Sequence, residues 1–346
     1  MKKERSICHD FDNVMIKPAR YKHASYIENS HYVPIFTYPD KNIVNLQNIE
    51  ALTNLGITVV IPKCFSDEEI EHALVPVKQD DIWIELDLQG LIGFVKALRS
   101  SNKFDPKLSN AEECHYKILY KGNAHDRVVF EICKEAKVTI KGLKIAVGNL
   151  LDVGLFKEYH KFNTDYVIIG DTAETDCGVG NSLYEVLREI KEWVRIRATT
   201  KIILDFYPKD HKDIIKAIGL GADYVMLREP LLKSFYPGCH YFYSNDLNGH
   251  CGLDDTDLRE LSENRSYITK KTFGRPTLYD SFKWVRVGDG VEKKISGNPD
   301  QFLPVDYYLD EWVKELEEKL KDAVLLTDSP SISSFKILAE YTKIDK

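Results

Sequence analysis

A chain of 346 residues with 43% hydrophobic content can bury one large core, and a formal net charge of -7 with a pI near 5.9 gives no broad attraction for nucleic acid or an anionic membrane. The opening MKKERSICHDFDNV has no apolar signal core, and no window reaches the run of about 18 apolar residues needed to span a bilayer. A cytoplasmic protein with a small-molecule or protein partner is expected. The seven cysteines, Cys8, Cys64, Cys114, Cys133, Cys177, Cys239 and Cys251, form an odd set without CxxC spacing and indicate neither a disulfide framework nor a zinc site.

In chain order, apolar runs suited to buried parallel strands alternate with helical patterns. Strands are expected at Val33–Thr37, Ile57–Pro62, Ile82–Asp87, Tyr116–Tyr120, Leu143–Val147, Tyr166–Ile169, Lys201–Asp205 and Tyr224–Leu227. Helices are expected between them at Asn45–Leu55, Leu91–Ser100, Val128–Ala136, Asp152–Phe162 and Ser182–Arg197. The last of these, SLYEVLREIKEWVRIR, opens on a candidate serine N-cap and spaces its apolar residues for one buried face, which leaves its charges solvated. Asp213 to Leu231, DIIKAIGLGADYVMLREPL, reads as an amphipathic helix, a Gly-Ala-Asp turn and a buried strand. Eight strands in this alternation fit a closed (β/α)8 TIM barrel, in which the loops at the strand C-termini carry the chemistry.

After the eighth strand the pattern breaks into Phe235–Glu292, rich in aromatic and acidic residues and carrying an Asn-Gly turn signal at Asn248 and Gly249. Long insertions at a strand's C-terminal end act as lids or binding loops, so residues 235–300 are expected to form a lid-like flap. Leu309–Leu326 then reads as a closing helix. No internal repeat, low-complexity tract or linker suggests a second domain, so residues 1–346 are read as one barrel domain.

Motifs with self-sufficient chemistry are missing from the sequence: there is no P-loop, no GxGxxG after a strand, no HExxH and no GxSxG. The acidic run Asp254–Asp257 lacks the EF-hand pattern, and the scattered histidines, His160 among them, have no metal-ligand spacing. Lys121, His125 and Arg228 either supply positive charge at the barrel mouth or are solvated or paired with Asp126, Glu229 or their neighbours. Tyr236, Tyr241, Phe242 and Tyr243 either stack a base or pack the insertion against the barrel.

Several segments carry a family resemblance in their shared order. FDNVMIKPAR (Phe11–Arg20), VPIFTYPD (Val33–Asp40), KIAVGN (Lys144–Asn149), GVG (Gly178–Gly180), GADYVML (Gly221–Leu227) and GVEKKISG from Gly290 are similar to successive segments of the IMP dehydrogenase and GMP reductase family. The resemblance spans nearly the whole chain, and its length and compact flap are nearer the GMP reductase branch. It implies a (β/α)8 barrel, an oxidoreductase moving a hydride between a purine nucleotide or nucleoside and NAD or NADP, and a homotetramer. Carried over residue by residue, it gives Asp205 to the ribose hydroxyls and Asn149 with Gly148 to ligand positioning. It also places Asp40, Gly178, Gly180 and Gly274 against substrate, with Cys177 as nucleophile at purine C2 and Asp289 as acid/base, while Arg228, which the family does not have, joins the substrate set as a cation at the mouth.

The chain departs from the family at several of these places. Where the family has small residues after VML, this chain has Arg228, Glu229 and Pro230; where it has Asp-Gly-Gly, this chain has Asp205, Phe206 and Tyr207. Those changes remove the bare backbone on which a phosphate would sit. Tyr120 and Lys121 stand where the family has an aspartate and a small-residue turn. Loop 6 is only GDTAETDC, so Cys177 directly adjoins GVG instead of preceding it by several residues. Two roles therefore fit Cys177, a relocated nucleophile or a small residue at a loop–helix junction: Asp176 and Glu174 disfavour a thiolate, and the following helix N-terminus favours one. Asp289 likewise fits an acid/base or a turn aspartate. Together the changes keep open a catalytically inactive relative that binds a metabolite or a protein partner.

Overall fold

Eight short parallel strands, separated mostly by helices, organise the chain. The computed structural model describes residues 14–19, 33–74, 82–100, 117–140, 142–150, 152–170, 183–197, 199–236, 239, 241–245, 249–252, 268–269, 284–285, 291–295 and 301–343. A first strand, β1 (Val14–Ile16), precedes the barrel. The first half of the barrel runs β2 (Ile35–Thr37), α1 (Ile49–Asn54), β3 (Val59–Ile61), α2 (Asp67–Leu74), β4 (Ile82–Glu85), α3 (Leu88–Ser100), β5 (Lys117–Lys121) and α4 (Arg127–Thr139). The second half continues β6 (Lys144–Leu150), α5 (Val153–Lys161), β7 (Tyr166–Gly170), α6 (Leu183–Arg197), β8 (Lys201–Asp205), α7 (His211–Gly219) and β9 (Tyr224–Leu227), followed by the single turn α8 (Glu229–Leu232).

Strand neighbours run β2-β9-β8-β7-β6-β5-β4-β3, all parallel, and the remaining edges β2 and β3 meet through a parallel bridge between Phe36 and Thr58. Thr37 N donates to Thr58 O and Thr58 N to Ile35 O, each at 2.9 Å. The fully buried Thr37 hydroxyl accepts from Val60 N at 2.8 Å, completing the seam with a side chain. The sheet is thereby a closed (β/α)8 barrel, and the eight strands match those expected from the sequence.

Strand alternation fills the barrel. One residue from each strand points inward, giving Phe36, Val60, Trp83, Leu119, Ala146, Ile168, Ile203 and Met226, none more than 2% exposed. Below this layer the rings of Tyr166 and Tyr224 close the bottom, each touching Phe36, and the Lys201 ammonium lies over both. The intervening residues face outward and pack against the helices in a second, larger core.

Helix boundaries follow local capping. Asp126, Asp152 and Asp210 cap α4, α5 and α7 by accepting backbone N–H bonds of the first turn. The helix expected from Asn45 begins at Ile49 instead. Asn45 and Asn48 spend the preceding residues in side-chain-to-backbone bonds, Gln47 N to Asn45 Oδ1 and Asn45 N to Asn48 Oδ1, which compete with a helical start. The fifth barrel strand runs on to Leu150, three residues past its expected end, because Gly148 and Asn149 form a bulge within it and not a turn after it.

Beyond β9 the chain departs at β10 (Ser234–Phe235) and forms β11 (Tyr241–Asn245), β12 (Gly249–Gly252), β13 (Ile268–Thr269), β14 (Trp284–Val285), β15 (Val291–Ile295) and β16 (Gln301–Pro304). Of these, β12-β11-β15-β16 make an antiparallel sheet and β13 pairs with β14. The chain returns at β17 (Tyr307–Tyr308), which pairs in parallel with β10, so the excursion starts and ends at one place. Asn248, half of the expected Asn-Gly turn, lies outside the described residues; β11 and β12 on either side of it form a hairpin. Then come α9 (Leu309–Leu326), with the bounds expected for the closing helix, α10 (Ile332–Leu338) and β18 (Tyr341–Lys343), which pairs antiparallel with β1. Helix α2 fills one of the gaps in which a helix is expected, whereas α10 and this terminal strand pair have no counterpart among the expected elements. No described helix is long and apolar enough to cross a membrane.

The closing helix docks on α7 through a buried histidine. His211 packs against Trp312 with the rings tilted by 37° and 4.5 Å between centroids, and its Nε2 donates to Trp312 O at 3.1 Å. That leaves Nδ1 as an acceptor for the Lys319 ammonium at 3.4 Å, with Glu315 at 4.0 Å. Burial first, and the Lys319 charge second, hold the imidazole below its usual pKa.

Two outcomes are expected. Trp83→Ala empties the centre of the barrel and should cost about 3–5 kcal/mol in chemical denaturation. Acidification from pH 7 towards pH 5 should destabilise the wild type more than His211→Gln: the unfolded imidazole takes up its proton near pH 6.5 while the folded one resists. Stability is full above that value and falls below it, by at most about 1.4 kcal/mol per pH unit. Parallel pH profiles for the two proteins would remove His211 from the account.

Candidate functional site

The mouth of the barrel follows from the same alternation. Two residues on from each inward core side chain stand Tyr38, Pro62, Glu85, Lys121, Gly148, Gly170, Asp205 and Arg228. This layer lies at the strand C-termini, where barrels of this class build their sites.

Its centre is an ion pair. Lys121 Nζ, at the end of β5, lies 3.0 Å from Asp205 Oδ2, at the end of β8, with both side chains only 10% exposed. The ammonium also donates to Tyr38 Oη at 2.9 Å and sits 4.3 Å from that ring's centroid. Burial alone would depress the Lys121 pKa, but the Asp205 charge and the Tyr38 bond outweigh it and raise it, so the group stays an ammonium. Beside it, Glu85 is buried and accepts from Lys63 N at 3.1 Å; desolvation raises its pKa against the opposing pull of Lys63 and Lys121.

A second, looser pair sits at the rim. Arg228 Nη2 is 3.5 Å from Asp40 Oδ2, its guanidinium lies 5.3 Å from the Tyr38 centroid, and it bonds Tyr207. Asp40 Oδ1 meanwhile accepts from both Asn42 N and Asn42 Nδ2, at 2.9 and 2.8 Å. Of the other cations considered from the sequence, His125 pairs with Asp152 at 3.6 Å, and Glu229 is taken by Lys233 at 2.5 Å.

On the opposite side of the layer two glycines leave their side-chain space to neighbouring residues. A Cβ on Gly148 would collide with Ile168 Cβ, and one on Gly170 would stand 2.5 Å from Asn149 Cγ, so the Asn149 side chain lies across Gly170. Backbone bonds from Gly122 N to Gly148 O at 2.6 Å and from Asn149 N to Gly122 O at 2.5 Å hold this bulge against the loop after β5. Asn149 Oδ1 is buried and has no hydrogen-bond partner among the described residues. An orphaned acceptor of this kind suits a ligand N–H.

The bulk expected from Phe206 at the mouth is not there. Asp205 points inward, so Phe206 points outward and is 6% exposed in the helix-facing core, leaving only Tyr207, 44% exposed, at the rim. The start of α8 offers little to a phosphate: Glu229 puts negative charge in its first turn, and Pro230 removes a backbone donor. Tyr236 is 2% exposed and donates to Ile43 O, so it packs the start of the insertion. Among the described cysteines Cys64 is exposed, while Cys133 and Cys239 are buried, with burial pushing the Cys133 thiol up to about 12. No group of three or more potential metal ligands occurs among the described residues. Cys177, Gly178, Gly180, Gly274 and Asp289 lie outside the described residues, so the structure brings together Asp40, Gly148, Asn149, Asp205 and Arg228 of the expected set. Tyr38 and Glu85 were missed; counting two residues on from Phe36 and Trp83 would have found both.

No family model matches the sequence, and no curated protein does. Among solved structures, the chain is similar to the crystal structure of inosine 5′-monophosphate dehydrogenase from Legionella pneumophila, with a TM-score of 0.65 and 15% identity over 98% of this chain and 99% of that one. The likeness is one of fold. It covers the barrel and the segments before and after it.

Asp205→Ala leaves a buried ammonium without its carboxylate and is expected to cost about 3–5 kcal/mol in chemical denaturation. Adding Lys121→Met should recover most of that loss. A cost below about 1 kcal/mol for the single variant would mean that the pair behaves as a hydrated surface contact.

Proposed function

We propose that this chain is a divergent oxidoreductase of the IMP dehydrogenase and GMP reductase type, nearer the reductase, acting on a purine nucleoside or nucleotide with NAD or NADP. The observation that carries the reading is the buried Asn149 acceptor, without a hydrogen-bond partner among the described residues, in the same mouth as Asp205 of a barrel whose fold is like that of IMP dehydrogenase. The nicotinamide cofactor, when bound, supplies or accepts the hydride. Asn149 Oδ1 takes an N–H of the ligand and orients it, Asp205 faces the sugar, and Gly148, packed against Ile168, holds the bulge that presents Asn149 to the ligand. Arg228 and Asp40 bound the rim. Cys177 is the candidate nucleophile and Asp289 the candidate acid/base, with Gly178, Gly180 and Gly274 lining the ligand. On this reading residues 235–300 close over the mouth as a lid within a single domain, and the protein works in the cytoplasm as a tetramer.

One observation favours a second reading, a catalytically inactive relative that binds a metabolite or a protein partner. The Lys121–Asp205 pair fills the centre of the mouth with the chain's own charges, and Tyr207 stands at the rim where a phosphate would need bare backbone.

A thermal-shift series separates the two. IMP, GMP, XMP, their nucleosides and free bases are tested with and without NAD(H) or NADP(H). Saturation at about 100 times Kd adds about 2.7 kcal/mol to the native state and raises Tm. A shift with a purine, followed by cofactor oxidation or reduction that Cys177→Ala abolishes, supports the enzyme. Unchanged turnover in Cys177→Ala removes that residue's role, and the absence of a shift with every purine leaves the second reading.

A further inference from the structure

Lys121 and Asp205 stand on β5 and β8, which β6 and β7 separate in the barrel, so their ion pair crosses the mouth instead of following one strand seam. Tyr38, just past β2, adds its hydroxyl and its ring to the same ammonium. Residues from three separate strands thus hold the charge in the mouth layer, facing the side where Gly148 and Gly170 carry no side chain. A carboxylate binds a vicinal diol by accepting from both hydroxyls, and here one carboxylate oxygen already faces an ammonium. That contact joins two buried opposite charges, and their attraction in a site shielded from water exceeds that of a neutral hydroxyl. With Asp205 only 7% exposed, a sugar reaches it on equal terms only where the ammonium gives way.

We infer that Lys121 determines specificity at the mouth: its ammonium stands in for a ligand's diol at Asp205, so the ligand is bound without engagement of its 2′ and 3′ hydroxyls. The inference rests on the proposed reading of the mouth as a purine site with Asp205 on the sugar side. It predicts a ligand recognised through its base, with ribonucleoside, dideoxynucleoside and free base accepted alike.

Calorimetric titration of the full chain tests it, with inosine, 2′,3′-dideoxyinosine and hypoxanthine, and with uridine and its dideoxy form. The proteins are the wild type, Lys121→Met and Lys121→Met/Asp205→Asn, each checked for folding by circular dichroism. The wild type should bind inosine and dideoxyinosine within about threefold of each other. Lys121→Met should prefer inosine by about tenfold or more, as expected for hydrogen bonds to a charged group, and the double variant should lose that preference. A tenfold preference for inosine in the wild type overturns the inference, and this comparison decides even where Lys121→Met fails to fold. Absence of any diol preference in folded Lys121→Met also overturns it. Diol preference in Lys121→Met for uridine as much as for inosine sinks the purine reading and leaves the role of Lys121 standing. Inosine bound without diol preference in Lys121→Met does the reverse, and no binding to any of the proteins, by these ligands or by IMP and GMP titrated alongside them, removes both.

Discussion

Closure of the barrel is the constraint from which the rest follows. Seven of the eight strand junctions are parallel ladders, one of them bulged at Gly148 and Asn149, while the eighth rests on a bridge between Phe36 and Thr58, two backbone bonds beside it and the buried hydroxyl of Thr37. Once that seam is made, each strand has an inside and an outside, and side chains two apart must share a face. Phe36, Trp83 and Met226 fill the interior for this reason, and for the same reason Tyr38, Glu85 and Arg228 are carried up to the mouth.

A layer of charged side chains this close to a dry core has to neutralise itself. Desolvation of a lone ion is costly, and the structure answers with opposite charges in contact: Lys121 with Asp205 at the centre and Arg228 with Asp40 at the rim. Glu85 is the member whose burial is least offset, which is why its carboxyl titrates above the usual range. The contrast between the two pairs is one of depth. Lys121 and Asp205 are both nearly sealed from water, whereas Arg228 is 43% exposed and its contact is half an ångström longer, so only the first constrains what can enter.

The same logic of satisfied polar groups shapes the base of the barrel and its closing helix. Asp165 accepts from Lys137 and from Ile145 N, and Asp223 accepts from Lys336 and from Ile202 N, each carboxylate tying a strand start to a helix lysine. His211 uses both ring nitrogens against α9. These contacts join the segment after the insertion to α7 and place β18 beside β1, so both described ends of the chain meet on one part of the barrel.

The sequence by itself determined the eight strands and most of the helices between them, because alternation, capping and apolar periodicity are local and leave their mark within a few residues. It also located α9 and put Asp40, Asn149, Asp205 and Arg228 at strand ends. It misplaced the start of α1, where asparagine side chains compete with the helix, and the end of β6, where a bulge replaces a turn. It gave Phe206 a place at the mouth that the inward turn of Asp205 denies it. What only the tertiary structure decided is which charges meet. Lys121 was weighed against Asp126 and Arg228 against Glu229, their near neighbours in sequence, yet their partners are Asp205 and Asp40, brought across the barrel by its closure. Pairing across a closed sheet depends on strand order and register, and neither is written in any single segment of the chain.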